Sequence, residues 1–581
     1  MTRVALQMFN MSSLGSRFVA FPTTSFVAPS RSCCRSLWRG HAARNASHNT
    51  RAFSVAYTKT RDSYGLRSPT MPMLSNPNKK RLTARFASSP ASNKLPSTPL
   101  SRVPTAANEL VEFINESWTS YHATATTSRM LAAAGFVQLS ERDEWSIAPG
   151  GKYFFTRNMS SIVAFAVGEK YVPGNGIHII GAHTDSPCPK LKPVSSIIKS
   201  GFLEVGVQTY GGGLWHTWFD RDLSVAGKVV LRRGIGGGQL SQELVQVDRP
   251  ILRIPTLAIH LDRNVNTEGF RLNVESHLAP ILATAIKGEL GLGLAASCPS
   301  AHDEDPKSYE KGKKPAHHPL LLEILAEELD CDADEIVDFE LEVCDVQPSV
   351  IGGAAHEFIY SGRLDNLASA FCALKALLEA GGDGSLDEES GVRMVAMFDN
   401  EEVGSGSAIG AGGTILADAI TRIIRILCNN SHEEGIFERT MRNSFLVSAD
   451  MAHALHPNYA DKHEANHAPK IHAGLVVKQN ANQRYATNAV TATLFRECGA
   501  KNDIPIQDFV VRNDMGCGST IGPILSANLG IRTVDVGVPQ LSMHSVREMC
   551  GTEDIDICYR HFKAFYENFA TVSSEFTDID F

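Results

Sequence analysis

The sequence predicts an α/β protein built on a mostly parallel sheet and interrupted by an inserted β-rich segment. Three observations carry that prediction. Apolar runs of strand length alternate with helix-like stretches, and several of these runs end, on their carboxyl side, in His, Asp or Glu. Between Lys192 and Asp345 the alternation gives way to successive strands separated by glycine clusters. In open parallel sheets the loops beyond the carboxyl ends of the strands converge on one crevice, so polar residues placed there are positioned to meet. A chain of 581 residues is too long for one core. The expected division is 1–105 as a basic leader and linker, 106–190 as the first part of the α/β domain, 191–346 as the insertion and 347–581 as the second part.

From Met1 to Arg61 there is no Asp or Glu, and Arg recurs among Ser, Ala, Phe and Val. That is the composition of a mitochondrial targeting leader, against the plainer reading of a disordered basic tail. Initiation at Met71 or Met73 would shorten it and leave a cytosolic form. Thr70 to Pro104 is rich in Pro, Ser and Asn and reads as a linker. Helical spacing of Leu, Phe, Ile and Trp begins near Ala106, and the segment from Ser140 turns towards strands.

Residues 176–187, GIHIIGAHTDSP, form a strand signal ending in His183 and Asp185. A ligating His needs its second ring nitrogen held, and Asp185 is better placed for that task than as a ligand. In the insertion, LEVGVQTY, GKVVLRR and PILRIPTLAIHL read as strands and HPLLLEILAEEL as a helix. Residues 298–318 read as a polar surface loop. YGGGLWHTWFDRD, 210–222, lacks the strand-GxGxxG-helix context of a dinucleotide site and is assigned no cofactor.

EFIYSGRLDNLASAFCALKALLEAG then gives a strand fragment, Asp365 and a helix. Alone, Asp365 reads as a helix N-cap. The central stretch is Met394–Ser405, MVAMFDNEEVGS, an apolar run followed by Glu401 and Glu402. Adjacent carboxylates at a strand end point different ways, so one can bind a metal while the other faces a substrate water. The GSGSAIGAGG tail has no GKS or GKT to complete a phosphate loop. SFLVSADMAHA ends another run in Asp450 with His453 beyond it, and GIRTVDVGVPQLSMHSVREMC leads a strand to His544. Each residue alone has an ordinary structural explanation. Four or five strand ends delivering His, Asp, Glu, Asp and His together point to a two-metal hydrolase.

The amino-terminal hundred residues hold 15 Lys and Arg against one acid, Asp62, leaving 40 basic and 62 acidic residues in the remainder, a net charge of −22. An acidic body argues against nucleic acid or an anionic membrane as partner. No uncharged apolar run approaches the ~18 to 20 residues of a membrane-spanning helix. The 12 cysteines include no CxxC pair and fit reduced, buried thiols.

With these residues in view, the chain from about Ala106 to its carboxyl terminus resembles the M18 metallopeptidases, most closely their aspartyl aminopeptidase branch. The resemblance lies in HTDSP, YGGGLWHTWFDRDL, IPTLAIHLDRN, SGRLDNLAS, FDNEEVGS, SADMAHA, VVKQNANQRYATNA, NDMGCGSTIGP and MHSVREMCG. It implies a doubly wound catalytic domain with an inserted oligomerisation domain, assembled as a homododecamer. It implies one metal on His183 and Asp450, a second on Glu402 and His544, and Asp365 bridging them. Imidazole and carboxylate ligation without thiolate suits zinc, with manganese or cobalt as replacements. The implied reaction removes amino-terminal Asp or Glu from peptides, with Glu401 as general base on a metal-bridging water and Asp185 orienting His183. Lys478 and Tyr485 are the implied substrate-binding residues, with His453 beside them. His260 is implied to reach a neighbouring subunit's site and steady the tetrahedral intermediate. The alternatives are a vacuolar M18 enzyme preferring neutral residues such as Leu, a two-metal deacylase or carboxypeptidase, and an assembled scaffold without catalysis.

Overall fold

The computed structural model describes residues 103–233, 238–287, 315–428 and 434–576. The leader, most of the linker and residues 298–314 of the expected polar loop lie outside the described residues. A nine-stranded sheet organises the molecule. Its spatial order is Val137–Gln138, Lys152–Arg157, Ser161–Val167, Val392–Phe398, Ile177–His183, Phe445–Ala449, Arg532–Gly537, Leu475–Gln479 and Ile506–Val510. The four strands from Val392–Phe398 to Arg532–Gly537 are mutually parallel. Antiparallel neighbours flank them at Ser161–Val167 and Leu475–Gln479.

The inner strands are apolar at almost every position because both faces are covered. Alternate residues separate cleanly. Ile180, Ala182, Val395, Met397, Val447 and Val534 join a core with the helices Thr105–Glu116, Leu364–Ala380, Ala489–Ala500 and Thr552–Glu575. Ile177, Ile179, Val392, Met394, Phe398 and Leu446 join the opposite core with Ile415–Leu427 and Ile521–Leu529. The period-two alternation of a strand thus feeds two helical layers, which is the doubly wound arrangement.

A second sheet, wholly antiparallel, has the order Leu240–Gln246, Leu223–Arg232, Ile336–Asp345, Cys188–Lys199, Phe202–Tyr210 and Ile281–Thr284. The helix Pro319–Leu329 packs Leu321, Ile324, Leu325 and Leu329 into its core. The expected strand PILRIPTLAIHL does not form. Only isolated bridges at Leu252 and Arg253 occur there. Pro250 and Pro255 supply no N–H for a ladder, and beyond them Leu257, Ile259 and Leu261 lie exposed. The described end of the expected polar loop also differs. His318 is buried, its ring within hydrogen-bond distance of Ser196 Oγ and the carbonyls of Ile197 and Glu204.

A third, five-stranded sheet was not legible in the sequence. Val350–Gly352, Phe358–Ser361, Glu548–Gly551, Pro539–Leu541 and Ala452–His453 pair in that order. Each strand is too short to show a period of its own. None of the described helices is long and apolar enough to cross a membrane, and the nine described cysteines are free thiols, seven of them buried.

Candidate metal centre

The carboxyl edge of the central sheet gathers the residues. His183 closes its strand. Glu401 and Glu402 lie in a single turn just past Phe398, and Asp450 follows Ala449. Asp365 sits one residue into the Leu364–Ala380 helix but keeps non-helical backbone angles at φ −82° and ψ 106°. That excursion turns its carboxylate out of the N-cap role and into the cleft. His544, at φ +67°, projects from the loop after Pro539–Leu541.

Asp365 stands between the two imidazoles. Its Oδ1 lies 3.4 Å from His183 Nε2 and its Oδ2 lies 3.6 Å from His544 Nε2. Asp450 Oδ1 is 3.5 Å from His183 Nε2, and Glu402 Oε2 is 3.4 Å from His544 Nε2. Such separations are long for hydrogen bonds. They are close to the roughly 3.4 Å between ligand atoms placed tetrahedrally at ~2.0 to 2.1 Å around one zinc ion. The buried oxygens Asp365 Oδ1 and Glu402 Oε1 have no hydrogen-bond donor. Orphaned carboxylate oxygens facing two imidazoles fit divalent cations, and the donor set of nitrogen and oxygen without thiolate fits zinc.

Electrostatics agree. Burial disfavours charge on His183, yet the carboxylates of Asp185, Asp365 and Asp450 outweigh it and hold the imidazole well above its ordinary pKa. His544 is raised to about 10, burial again opposing and Asp365 and Glu402 prevailing. Glu402 is pushed well above the usual carboxylate range by burial and by Asp365. Glu401 is raised to about 8, first by burial, with His183 opposing and Asp450 and Asp365 adding to it. Four clustered acids therefore demand positive charge at this point.

Asp185 is not among the ligating atoms. Its backbone carbonyl lies 3.0 Å from His183 Nδ1, while its carboxylate oxygen is 3.5 Å away. The carboxylate mainly accepts the N–H groups of Glu401 at 3.2 Å and Glu402 at 3.1 Å and the hydroxyl of Tyr210 at 2.6 Å. It fixes the turn that carries both glutamates.

The cleft, about 530 Å³, is lined by Lys478, Tyr485, His453, Arg484 and Phe509 together with the metal-facing residues. Lys478 is 3% exposed, with Nζ 3.4 Å from Asp450 Oδ2 and 5.4 Å from the Tyr485 ring centroid. His453 is exposed at the rim, its ring 5.9 Å from that of Phe509. His260 is exposed in the stretch after Pro255 and does not line the cleft.

Three contributors escaped sequence reasoning. The segment Tyr210–Thr217, set aside for want of a dinucleotide motif, reaches from the second sheet into the centre. Besides the Tyr210 bond to Asp185, His544 Nδ1 lies 3.0 Å from the Gly212 carbonyl, and Leu214 N–H donates to the His544 carbonyl at 2.9 Å. Glu548, buried and pushed up to about 8 by burial and by Asp365, accepts the N–H of Asp365 at 3.1 Å and of His544 at 2.8 Å. An acid four residues beyond His544 was its only sequence signal. Arg484 had none beyond its place in QNANQRYATN.

Comparison with known proteins places these features in company. The family model described as "Aminopeptidase I zinc metalloprotease (M18)" matches residues 113–566. A "Probable aspartyl aminopeptidase" of Ricinus communis is 57% identical over 477 residues, 81% of this chain and 96% of that protein. An "Aspartyl aminopeptidase" of Dictyostelium discoideum is 47% identical over 481 residues, 82% of this chain and 99% of that protein. Among solved structures, the Ape4 and Nbr1 complex contains a chain with a TM-score of 0.75 at 45% identity, covering 82% of this chain and 88% of that one. The S. cerevisiae mApe1 dodecamer gives a TM-score of 0.69 at 28% identity, covering 82% and 99%.

Proposed function

The chain belongs to the M18 family and is a metalloaminopeptidase; from that premise we propose that it removes acidic residues, Asp and Glu, from the free amino termini of peptides, using two divalent cations. The observation that carries this reading is Asp365, whose two oxygens face His183 and His544 separately. His183 and Asp450 would hold one cation, Glu402 and His544 the other, and Asp365 both. Zinc suits the donors, and manganese or cobalt could replace it. Bound there, the cations would polarise the scissile carbonyl and acidify the attacking water.

Glu401 is the proton carrier. Its Oε2 lies 3.9 Å from His183 Nε2, beside the ligand set without being needed in it. A carboxylate at this position is placed to accept a proton from water and to return it to the departing amine. Asp185 holds the Glu401 turn and the His183 ring in register. An acidic side chain needs a positive partner on leaving water. Lys478 supplies it at the cleft floor, with the Tyr485 hydroxyl as a further donor and His453 at the rim. The relatives named aspartyl aminopeptidase support this preference.

Residues 191–346 serve as the oligomerisation domain of a homododecamer in this reading. Similarity to the S. cerevisiae dodecamer supports it. So do Leu257, Ile259 and Leu261, exposed around His260, since a row of exposed apolar side chains marks an interaction surface. His260 would then steady the charge on the carbonyl oxygen in a neighbouring subunit. The leader would address the chain to the mitochondrion, with a cytosolic form arising from Met71 or Met73.

The test measures release of amino-terminal Asp, Glu and Leu from matched peptides by the full-length protein with zinc or manganese, in wild type, Glu401→Gln and Lys478→Ala. Glu401→Gln is expected to keep its metal and lose about 10³-fold in kcat; full activity would remove Glu401 from the role. Loss of acid preference in Lys478→Ala supports the substrate assignment, whereas a wild-type preference for Leu moves the chain to the neutral-residue branch.

A further inference from the structure

Two basic side chains line the cleft, Lys478 and Arg484, and they differ in what already answers their charge. Lys478 is buried and its ammonium has a carboxylate partner in Asp450, itself turned towards His183. Arg484 is exposed in the same cleft. Its Nε donates to the carbonyls of Cys517 at 3.1 Å and Gly518 at 3.4 Å, and its own carbonyl accepts from Ser519 Oγ at 3.1 Å. The two Nε bonds fix the guanidinium through neutral groups only, and the third holds the main chain. Among the described residues no carboxylate lies within ion-pair distance of it. Arg512, by contrast, is engaged through Nε and Nη2 with both oxygens of Asp514.

A carboxylate entering this cleft is attracted most by positive charge that is not already balanced. A guanidinium tethered at Nε keeps its two Nη groups as a planar fork, matched to a carboxylate and already oriented, so little side-chain freedom is lost on binding. We infer that Arg484 is a specificity-determining residue, its Nη groups engaging the side-chain carboxylate of an acidic amino-terminal residue while Lys478 supplies charge at the floor. This rests on the acidic-substrate reading above and extends it. Two basic side chains at different depths also explain how one cleft could serve both Asp and Glu, which differ by one methylene.

Aspartyl, glutamyl and leucyl arylamides isolate the effect, because the first two carry no carboxylate other than the amino-terminal side chain. Full-length Arg484→Gln is expected to lose about 10- to 100-fold in kcat/KM on the two acidic arylamides, with the leucyl arylamide within about twofold of wild type. Arg484→Lys, which keeps the charge but not the Nε tether, recovers part of the loss. Parallel loss on all three substrates, with no rescue by Lys, would reduce Arg484 to a support of the Cys517–Gly518 loop and overturn the inference. So would a penalty seen only with acid-containing leaving peptides such as Leu-Asp, which would put the carboxylate on the other side of the scissile bond. A wild-type enzyme without acid preference would overturn the underlying reading; wild-type preference unchanged in Arg484→Gln overturns the role of Arg484 alone.

Discussion

Asp185 and Glu548 are buried carboxylates whose oxygens are occupied by backbone N–H groups, and this separates them from the acids that face the cleft. Asp185 grips the amides of Glu401 and Glu402, and Glu548 grips those of Asp365 and His544. Each therefore sets the position of a pair of chemistry-bearing residues through the main chain, which flexes less than a side chain. Tyr210 completes the first grip by donating to Asp185 Oδ2, and its oxygen accepts from Asn400 Nδ2 at 3.0 Å. A hydrogen bond to a buried charge contributes about 1.5 to 3 kcal/mol. Tyr210→Phe keeps the ring under Lys190, whose Nζ lies 3.9 Å from the centroid, and removes only the hydroxyl. Steady-state kinetics on an aspartyl arylamide should show kcat reduced about tenfold with KM little changed. A fall in melting temperature with kcat intact would mean that the hydroxyl supports folding alone.

At the scale of the element, the Tyr210–Thr217 segment makes the second sheet part of the metal centre. Gly211 is the point of closest approach. Its φ is +75°, and a Cβ there would lie 3.1 Å from Glu402 Cβ. Backbone strain of this kind costs about 1 to 3 kcal/mol, and the close contact would in addition push against Glu402. Gly211→Ala should lose zinc content and activity together while its far-UV circular dichroism stays that of wild type; metal analysis beside kinetics checks it. The five-stranded sheet also contributes, with Glu548 at the start of one of its strands and His453 at the end of another.

For the whole molecule, the packing of two helices within one layer explains an expected sensitivity to acid. His561 lies in the Thr552–Glu575 helix, fully buried, its ring stacked on Phe495 with centroids 4.2 Å apart and Nε2 3.0 Å from the Phe495 carbonyl. Burial lowers its pKa from 6.5 to about 4, the carbonyl opposing. Between those values the unfolded chain binds the proton and the folded chain does not. Its share of stability is thus complete above pH 6.5, is lost as pH falls towards 4 and changes no further below that. The full effect is on the order of 3 kcal/mol. Thermal melts across this range should fall with pH, and His561→Phe should flatten the slope; an unchanged slope would assign the acid sensitivity to other groups.

The sequence by itself determined the four parallel inner strands of the central sheet, the helix that follows Asp365 and which residue types stand at the strand ends, because side-chain period and run length are local properties that burial on both faces makes visible. It also held the motifs on which family membership rests. Only the tertiary structure decided that Val392–Phe398 lies beside Ile177–His183, and so that Glu401 and Glu402 meet Asp185 from more than two hundred positions away. The same holds for the grip of Glu548, the entry of the Tyr210 segment, and the contrast between Lys478, paired with Asp450, and Arg484, held only by carbonyls among the described residues. Those depend on strand order and on which charges share a cleft, and a one-dimensional pattern carries no distance between residues far apart in the chain.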